Sequence, residues 1–236
     1  AYRYASLSRK WCGDHDIARD YLERALDAHR RAGNKSQQAL MRAALAGHDK
    51  TADTVGVSIS ETRKALDTAR ETGDRQAMAT ISNTLAELYR FDRQLELASE
   101  YYEEAFEHWS ACGSTDRYVA MINLMLVELA RGDFDRVHQL CTDLIDVVRE
   151  REAKYLSFVA LGNAAALAAK GDYAGARECT TEGIEAVVHA DPDLLVLTDH
   201  ILEQAGEQGW DDICEDVRTL ERDQREQLAE LLDATE

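Results

Sequence analysis

Histidines and cysteines that stand close together in the sequence are the side chains most able to bind a metal ion. Three such pairs occur: Cys12 with His15, His108 with Cys112, and His138 with Cys141. A zinc site needs three or four protein ligands, and each of these pairs supplies two. We therefore predict no metal site and no bound cofactor, and interpret these histidines as solvent-facing side chains beside packed cysteines.

Motifs for nucleotide binding and nucleophilic catalysis are absent from the sequence. It contains no Gly-x-x-x-x-Gly-Lys-Ser/Thr loop, no Gly-x-Gly-x-x-Gly after a strand and no Gly-x-Ser-x-Gly elbow. Acidic residues recur at helical spacing between Glu96 and Glu107, which is typical of a solvated outer face. A contact for a basic partner is the alternative reading of that stripe. No nucleophile, base and orienting group can be assembled, so we expect the chain not to be an enzyme.

The elements that position these side chains are predicted to be helices throughout. Among 236 residues there are one proline and 13 glycines, and alanine, leucine, glutamate and arginine are abundant. No run of 18 apolar residues predicts a membrane span, and no basic-then-apolar leader opens the chain. The first residue is Ala1 in a segment that already has a helical pattern, so we expect a piece of a longer protein.

Charge and cysteine content limit the partners and the compartment. The formal net charge is −18, which predicts no binding of nucleic acid or of an anionic membrane surface. The five cysteines are an odd number, are widely spread and form no Cys-x-x-Cys pair. Reduced, packed thiols are the simplest interpretation, and they predict a cytoplasmic location.

A repeat of about 40 residues organises the chain. Similar turns are centred near Gly13, Asp53, Arg93, Gly132, Gly171 and Gln208, at spacings of 40, 40, 39, 39 and 37 residues. A second set of turn markers, Gly33, Gly73 and Gly113, has spacings of 40 residues. Two independent markers in the same register predict that two helices alternate in each repeat.

We call the helix before the first kind of turn helix A and the helix after it helix B. Helix A is predicted at 1–12, 36–48, 75–91, 116–131, 153–170 and 192–207. Helix B is predicted at 15–32, 58–72, 94–111, 134–150, 173–189 and 210–233. Asp74 and Asp116 precede helical patterns as N-caps should, and Ser58 with Glu61 predicts a capping box. The last helix, apolar on one face and charged on the other, is expected to cap the array or, alternatively, to mediate dimerisation.

These residues resemble the tetratricopeptide repeat (TPR) family. Its Gly-Asp-Tyr-x-x-Ala signature is matched by Gly171 to Ala176 and approximated by Gly13 to Leu26, while Leu85 to Tyr89 approximates the helix A motif. The long period resembles repeats of bacterial multidomain signalling and regulatory proteins. The resemblance implies an all-α, right-handed α-solenoid of about six helix-turn-helix repeats with a C-terminal capping helix. Residues 1–236 would form one domain, with repeats at about 1–33, 34–73, 74–113, 114–151, 152–190 and 191–236.

The resemblance also implies a concave groove lined by helix A side chains. Carried over position by position, the groove would contain Asn83, Glu87, Arg90, Val119, Ile122, Asn123, Leu126, Phe158, Leu161 and Ala165. The positions are mostly apolar in the fourth and fifth repeats, so we do not predict recognition of a peptide carboxylate there. Their helices are apolar on nearly all faces, which predicts that something covers them.

The function expected from the resemblance is binding of a peptide or protein partner in this groove. The chain would serve as an interaction, scaffolding or sensor module of a larger cytoplasmic regulatory protein, and the partner could be another domain of that protein. The alternative is a regulatory domain that binds a small molecule. An enclosed pocket with converging polar groups, such as Arg90, Asn123 and Asn163, would favour that alternative.

Overall fold

The computed structural model describes residues 15–48, 50–151, 155–187, 194, 197–199, 201–202 and 211–233. Ten helices have described bounds within these ranges, residues 194, 197–199 and 201–202 are also helical, and no strand is found there. The helices are α1 (His15–Arg31), α2 (Lys35–His48), α3 (Val55–Thr72), α4 (Arg75–Phe91), α5 (Leu95–Ala111), α6 (Arg117–Arg131), α7 (Phe134–Arg151), α8 (Leu156–Ala169), α9 (Tyr173–Glu185) and α10 (Asp211–Asp233). The alternation of helices A and B predicted from the sequence is therefore confirmed over the described ranges.

Two compact units divide the chain, and the boundary between them falls inside α6. The first unit ends at Val127 and the second begins at Glu128. The assignment of the whole chain to one domain stays a prediction. The first and most of the sixth predicted helix A lie outside the described residues.

In the first unit, each helix packs against the next from α1 to α5, and α2 also packs against α4. Gly47 makes this last contact close, because a Cβ at that position would lie 2.9 Å from Cγ2 of Thr84. Trp109 of α5 packs with small residues of α4 and α6, Ala79 and Ala120. Since small residues allow helices to approach closely, the alanines of this repeat are part of what permits the stacking.

The glycines identified in the sequence as turn markers have a left-handed backbone conformation. Gly33 and Gly73 both have φ of 69° and Gly113 has φ of 67°, so the three B-to-A turns share one left-handed conformation. Gly132 and Gly171 also have a left-handed conformation, in A-to-B turns, with φ of 77° and 83°.

The aspartates that follow two of these glycines are N-caps. Asp133 accepts a hydrogen bond from the Arg136 amide at 3.0 Å, and Asp172 accepts one from the Gly175 amide at 3.1 Å. The Gly-Asp motif therefore ends helix A with its glycine and begins helix B with its aspartate.

The start of α3 differs from the prediction. The capping box of Ser58 and Glu61 is wrong, because α3 begins at Val55 and Ser58 is a buried residue inside the helix. The amide of Thr51 donates to Oγ1 of Thr54, and the amide of Val55 donates to the Thr51 carbonyl. This local turn starts the helix early. The N-cap Asp74 is confirmed, since its side chain accepts a hydrogen bond from the Ala77 amide at 3.0 Å.

In the second unit, α7 packs against α8, α8 against α9, and α9 against α10. All of α8 is buried except Leu156, Asn163 and Ala169, which are partly exposed. The all-round apolar pattern of this helix thus matches all-round burial. On α10 one face is buried, and its described members are Cys214, Val217, Leu220 and Gln224. That single buried face is what the capping prediction requires.

Candidate functional site

The outward face of α4 carries three residues of the predicted groove. Asn83, Glu87 and Arg90 follow one another at helical spacing, and the opposite face, with Leu85 and Leu88, is fully buried. Glu87 and Arg90 are half-buried, whereas Asn83 is 9% exposed. Helical periodicity alone brings these three side chains to one surface of the first unit.

Asn83 has one satisfied and one unsatisfied polar atom. Its Nδ2 donates to Oε1 of Glu87 at 2.9 Å, while its Oδ1 is buried and accepts no hydrogen bond. A buried carbonyl oxygen without a donor costs about 1–3 kcal/mol. The carboxamide is therefore held in place by Glu87 with an acceptor left over. Because this acceptor is buried, a donor from outside the chain reaches it only after neighbouring side chains move.

On α6, four predicted groove residues lie in the part that belongs to the first unit. Val119 and Asn123 are half-buried, whereas Ile122 and Leu126 are 6% and 4% exposed. Val119 adjoins Ala120, which packs with Ala79 of α4. The buried cluster that contains Ala79 and Ala120 links α6 to α4 within the first unit.

The three groove residues predicted on α8 lie inside the second unit. Phe158 is 8% exposed, Leu161 is fully buried and Ala165 is 1% exposed. A Cβ placed on Gly183 would lie 2.6 Å from Cγ of Leu161, so Leu161 is packed against α9. These side chains are buried and are reachable by a partner only after the covering residues move.

Asn163, a partly exposed side chain of α8, links three helices. Oδ1 of Asn163 is 2.8 Å from Nδ1 of His138, and its Nδ2 is 3.4 Å from the sulfur of Cys179. Burial raises the pKa of the Cys179 thiol, and burial raises the pKa of Cys141 still more. Both thiols therefore remain protonated and poorly nucleophilic at neutral pH.

None of the described residues assembles a cation site. No group of three or more His, Cys, Asp or Glu side chains with metal-binding geometry occurs among them. His138 bonds Asn163, and His108 lies 3.6 Å from Glu104; Cys12 falls outside the described ranges. No described helix is long and apolar enough to cross a membrane.

The aromatic residues concentrated in the third repeat divide into packed and exposed members. Tyr89, Tyr102 and Trp109 are at most 4% exposed, and Tyr89 stacks on Tyr101 with ring centroids 5.5 Å apart. Phe91 differs, because it ends α4 and is 45% exposed. The other large apolar side chains that are exposed within the described ranges are Ile17 and Val57.

Sequence reasoning missed a recurrent ion pair between successive B helices. Nη2 of Arg70 lies 2.8 Å from Oε1 of Glu104, and Nε of Arg149 lies 2.6 Å from Oε1 of Glu182. These hydrogen bonds raise the pKa of both arginines. The sequence feature that could have indicated these ion pairs is an arginine followed 33 or 34 residues later by a glutamate. One such ion pair forms in each unit.

Comparison with solved structures identifies the kind of fold. BtubC from P. vanneervenii is 21% identical with a TM-score of 0.64, and the match covers 79% of this chain and 80% of BtubC. TPR-like repeats of a putative kinesin light chain from Podospora anserina are 13% identical with a TM-score of 0.61, covering 78% of this chain and 92% of that one.

A Rap protein, crystallised in complex with Competence and Sporulation Factor, is 14% identical with a TM-score of 0.70. That match covers 98% of this chain and 64% of the Rap protein, so this chain spans less than two thirds of its length. No protein-family model and no curated protein sequence matches the chain. The structural likenesses show that this chain has the fold of the TPR-like repeat proteins, an all-α solenoid of helix-turn-helix units.

Proposed function

We propose that this chain is a protein-interaction module that binds an extended peptide or protein segment on the outward face of α4 and α6. The observation that carries the proposal is Asn83, whose Oδ1 is buried without a donor while its Nδ2 is fixed by Glu87. Extended backbone presents N–H groups at regular intervals and can supply the missing donor. Because this acceptor is buried, neighbouring side chains move aside when such a partner completes it.

The rest of the face has the composition of a peptide-binding surface. Glu87 and Arg90 supply charges of both signs beside Asn83, and Asn123 supplies a second carboxamide on α6. Val119 is half-buried on α6 and offers an apolar contact. Polar groups that fix a backbone, placed beside apolar area, give both register and affinity.

The fold supports the proposal by analogy. One protein of the same fold was crystallised with Competence and Sporulation Factor, which shows that such a solenoid can hold a partner. Because sequence identity to that protein is 14%, the analogy concerns the architecture, and no binding residue of that protein is assigned to this chain. As part of the same proposal, the chain belongs to a larger cytoplasmic regulatory protein, for which it supplies the partner-binding part.

Peptide selection tests the proposal. A displayed random peptide library is selected on the purified chain, and the peptides recovered are retested on Asn83→Ala, Asn123→Ala and a control, Gln139→Ala. Gln139 is an exposed carboxamide in the second unit that bonds Asp143. One hydrogen bond contributes about 0.5–1.5 kcal/mol, so we expect Asn83→Ala to weaken binding about threefold to tenfold and the control to leave it unchanged.

Two outcomes would overturn the proposal. Either the library yields no binding peptide, or the peptides bind Asn83→Ala and Asn123→Ala as well as they bind the unaltered chain. The small-molecule alternative is not proposed, because Asn163, one of the polar groups it would use, is already bonded to His138 and Cys179.

A further inference from the structure

Large apolar side chains that are exposed to solvent gather at one edge of the first unit. Among the described residues they are Ile17, Val57 and Phe91, with exposed fractions of 44%, 67% and 45%. Ile17 is the third residue of α1 and Val57 is the third residue of α3, while Phe91 ends α4 directly before the turn to α5. Single exposed apolar residues are common on protein surfaces, whereas exposed apolar residues that recur at one place in a repeat indicate a binding surface.

The third residue of α5 continues this series. It is Leu97, which is half-buried. Ile17, Val57 and Leu97 follow one another at spacings of 40 residues, and each directly precedes a buried residue of its helix. In the second unit the third residues of α7 and α9 are Arg136 and Gly175. The apolar series is therefore a property of the first unit and is not required by the repeat as such.

Packing and one direct contact place these side chains at a common edge. Each helix from α1 to α5 packs against the next and is joined to it by a short turn, so α1, α3 and α5 run in the same direction and begin at the same edge of the unit. Nζ of Lys50, which precedes α3, lies 5.6 Å from the centre of the Phe91 ring, which precedes α5. The turns that lead into α3 and α5 are therefore in contact. We call Ile17, Val57, Phe91 and Leu97 the apolar edge.

Carboxylates surround the apolar edge. Segments 15–20, 50–61 and 91–100 hold seven aspartates and glutamates against three lysines and arginines. Each repeat places an exposed acid within four residues of its third-position apolar residue, and these acids are Asp16, Asp53 and Glu100. Acids near a helix N-terminus also stabilise the helix itself, so the charge alone identifies no partner. An apolar surface that is bordered by acids complements a partner whose apolar residues are bordered by lysine or arginine.

We propose that the apolar edge binds a basic amphipathic helix of a protein partner. The apolar residues of such a helix form one continuous stripe, which covers Ile17, Val57 and Leu97 in turn. Its lysines and arginines lie on both sides of the stripe, where they meet the carboxylates of the edge. None of the residues of the apolar edge belongs to the face that carries Asn83, so the two proposals can be tested separately.

Three helical peptides of equal length with a fluorescent label serve as probes. The first carries leucine on one face and lysine on the other, the second replaces its leucines by glutamine, and the third replaces its lysines by glutamate. Fluorescence anisotropy measures the Kd of each peptide for the intact chain. We expect only the leucine–lysine peptide to bind, with a Kd that rises as the ionic strength is increased to about 0.5 M.

Serine variants locate the binding surface. Ile17→Ser and Val57→Ser each remove an exposed apolar side chain and leave the core intact. We expect each substitution to raise the Kd of the leucine–lysine peptide about threefold to tenfold and to change Tm by less than about 2 °C. Arg136→Ser alters the same helix position in the second unit and is the matched control, which should leave the Kd unchanged. Asn83→Ala should also leave this Kd unchanged.

The proposal is overturned if the leucine–lysine peptide does not bind, if either of the other peptides binds as tightly, or if both serine variants bind it as the unaltered chain does. An equal loss of binding in Arg136→Ser or Asn83→Ala would also overturn it, because the peptide would then lie elsewhere on the chain. Analytical ultracentrifugation of the chain alone tests another occupant. Self-association that Val57→Ser abolishes would assign the apolar edge to a second copy of the chain and not to a basic helix.

Discussion

At the scale of single residues, α8 and α9 approach each other closely at Gly183 in the second unit. A Cβ there would lie 2.6 Å from Cγ and 2.8 Å from Cδ2 of Leu161, and 3.2 Å from the Leu161 amide nitrogen. Because Leu161 is fully buried, it has little room to move aside. We expect Gly183→Ala to lower the free energy of unfolding by about 1–3 kcal/mol, measured by urea denaturation.

Gly56 is the matched control for this substitution. It lies in the first turn of α3, and a Cβ there would have no atom within 4 Å. Alanine is the better helix former, so Gly56→Ala should raise the free energy of unfolding by about 0.5–1 kcal/mol. If Gly183→Ala proved as stabilising as Gly56→Ala, the packing of Leu161 against α9 would be contradicted.

At the scale of helices, the pair Arg70–Glu104 joins α3 to α5, and the pair Arg149–Glu182 joins α7 to α9. Arg149 is bidentate, with Nε and Nη2 at 2.6 and 2.7 Å from the two oxygens of Glu182. The side chain of Arg149 is 47% exposed and that of Glu182 is 27% exposed, so solvent screens the attraction. The geometry fixes the spacing of the helices more than it adds to stability.

A double-mutant cycle on Arg149→Ala and Glu182→Ala measures this pair. We expect a coupling energy of about 0.5–1 kcal/mol from thermal or urea unfolding, decreasing as salt is added. The comparison is the exposed pair of Asp27 and Arg30 within α1, whose nitrogen and oxygen are 3.0 Å apart. Its coupling should be about 0.3–0.5 kcal/mol. Equal coupling in both cycles would show that linking two helices adds nothing to the pair.

Sequence reasoning succeeded where the signal is local and failed where burial depends on the rest of the fold. The left-handed glycines Gly33, Gly73 and Gly113 were identifiable because each turn needs a residue that tolerates positive φ. Local cues also place most helix boundaries within a few residues. The start of α3 lies three residues before the predicted one, because it depends on hydrogen bonds between Thr51 and Thr54 that no composition rule indicates.

For the candidate surfaces too, the sequence predicted the local features and did not predict burial by residues distant in sequence. Helical spacing correctly placed Asn83, Glu87 and Arg90 on one stripe of α4. Periodicity could not tell that Leu161 of α8 is covered, because the covering residues are distant in sequence. Nor could it identify Arg93 as a left-handed residue, since a glycine stands at the equivalent position of the next two repeats.

At the scale of the whole molecule, a solenoid must protect the apolar face of its last repeat. The described part of α10 buries Cys214, Val217, Leu220 and Gln224 along one stripe, and α10 packs against α9. Stacked repeats are stabilised mainly by their neighbours, so an uncovered terminal repeat exposes apolar surface to water. This is the physical role of a capping helix, and the exposed residues between those four keep its other face polar.

Removal of this helix tests the capping role at the level of the molecule. We expect a chain that ends at Gln208 to have a lower Tm, to bind a hydrophobic dye and to aggregate, as followed by light scattering. Val217→Asp keeps α10 but buries a charge where the side chain is fully covered, and it should lower the free energy of unfolding by about 2–4 kcal/mol. Its neighbour Asp216 is exposed, so Asp216→Ala is the control and should have no effect. A truncated chain that stayed monomeric with unchanged Tm would mean that α9 needs no cover, and α10 would then be free to serve as the dimerisation helix that its amphipathic sequence also allows.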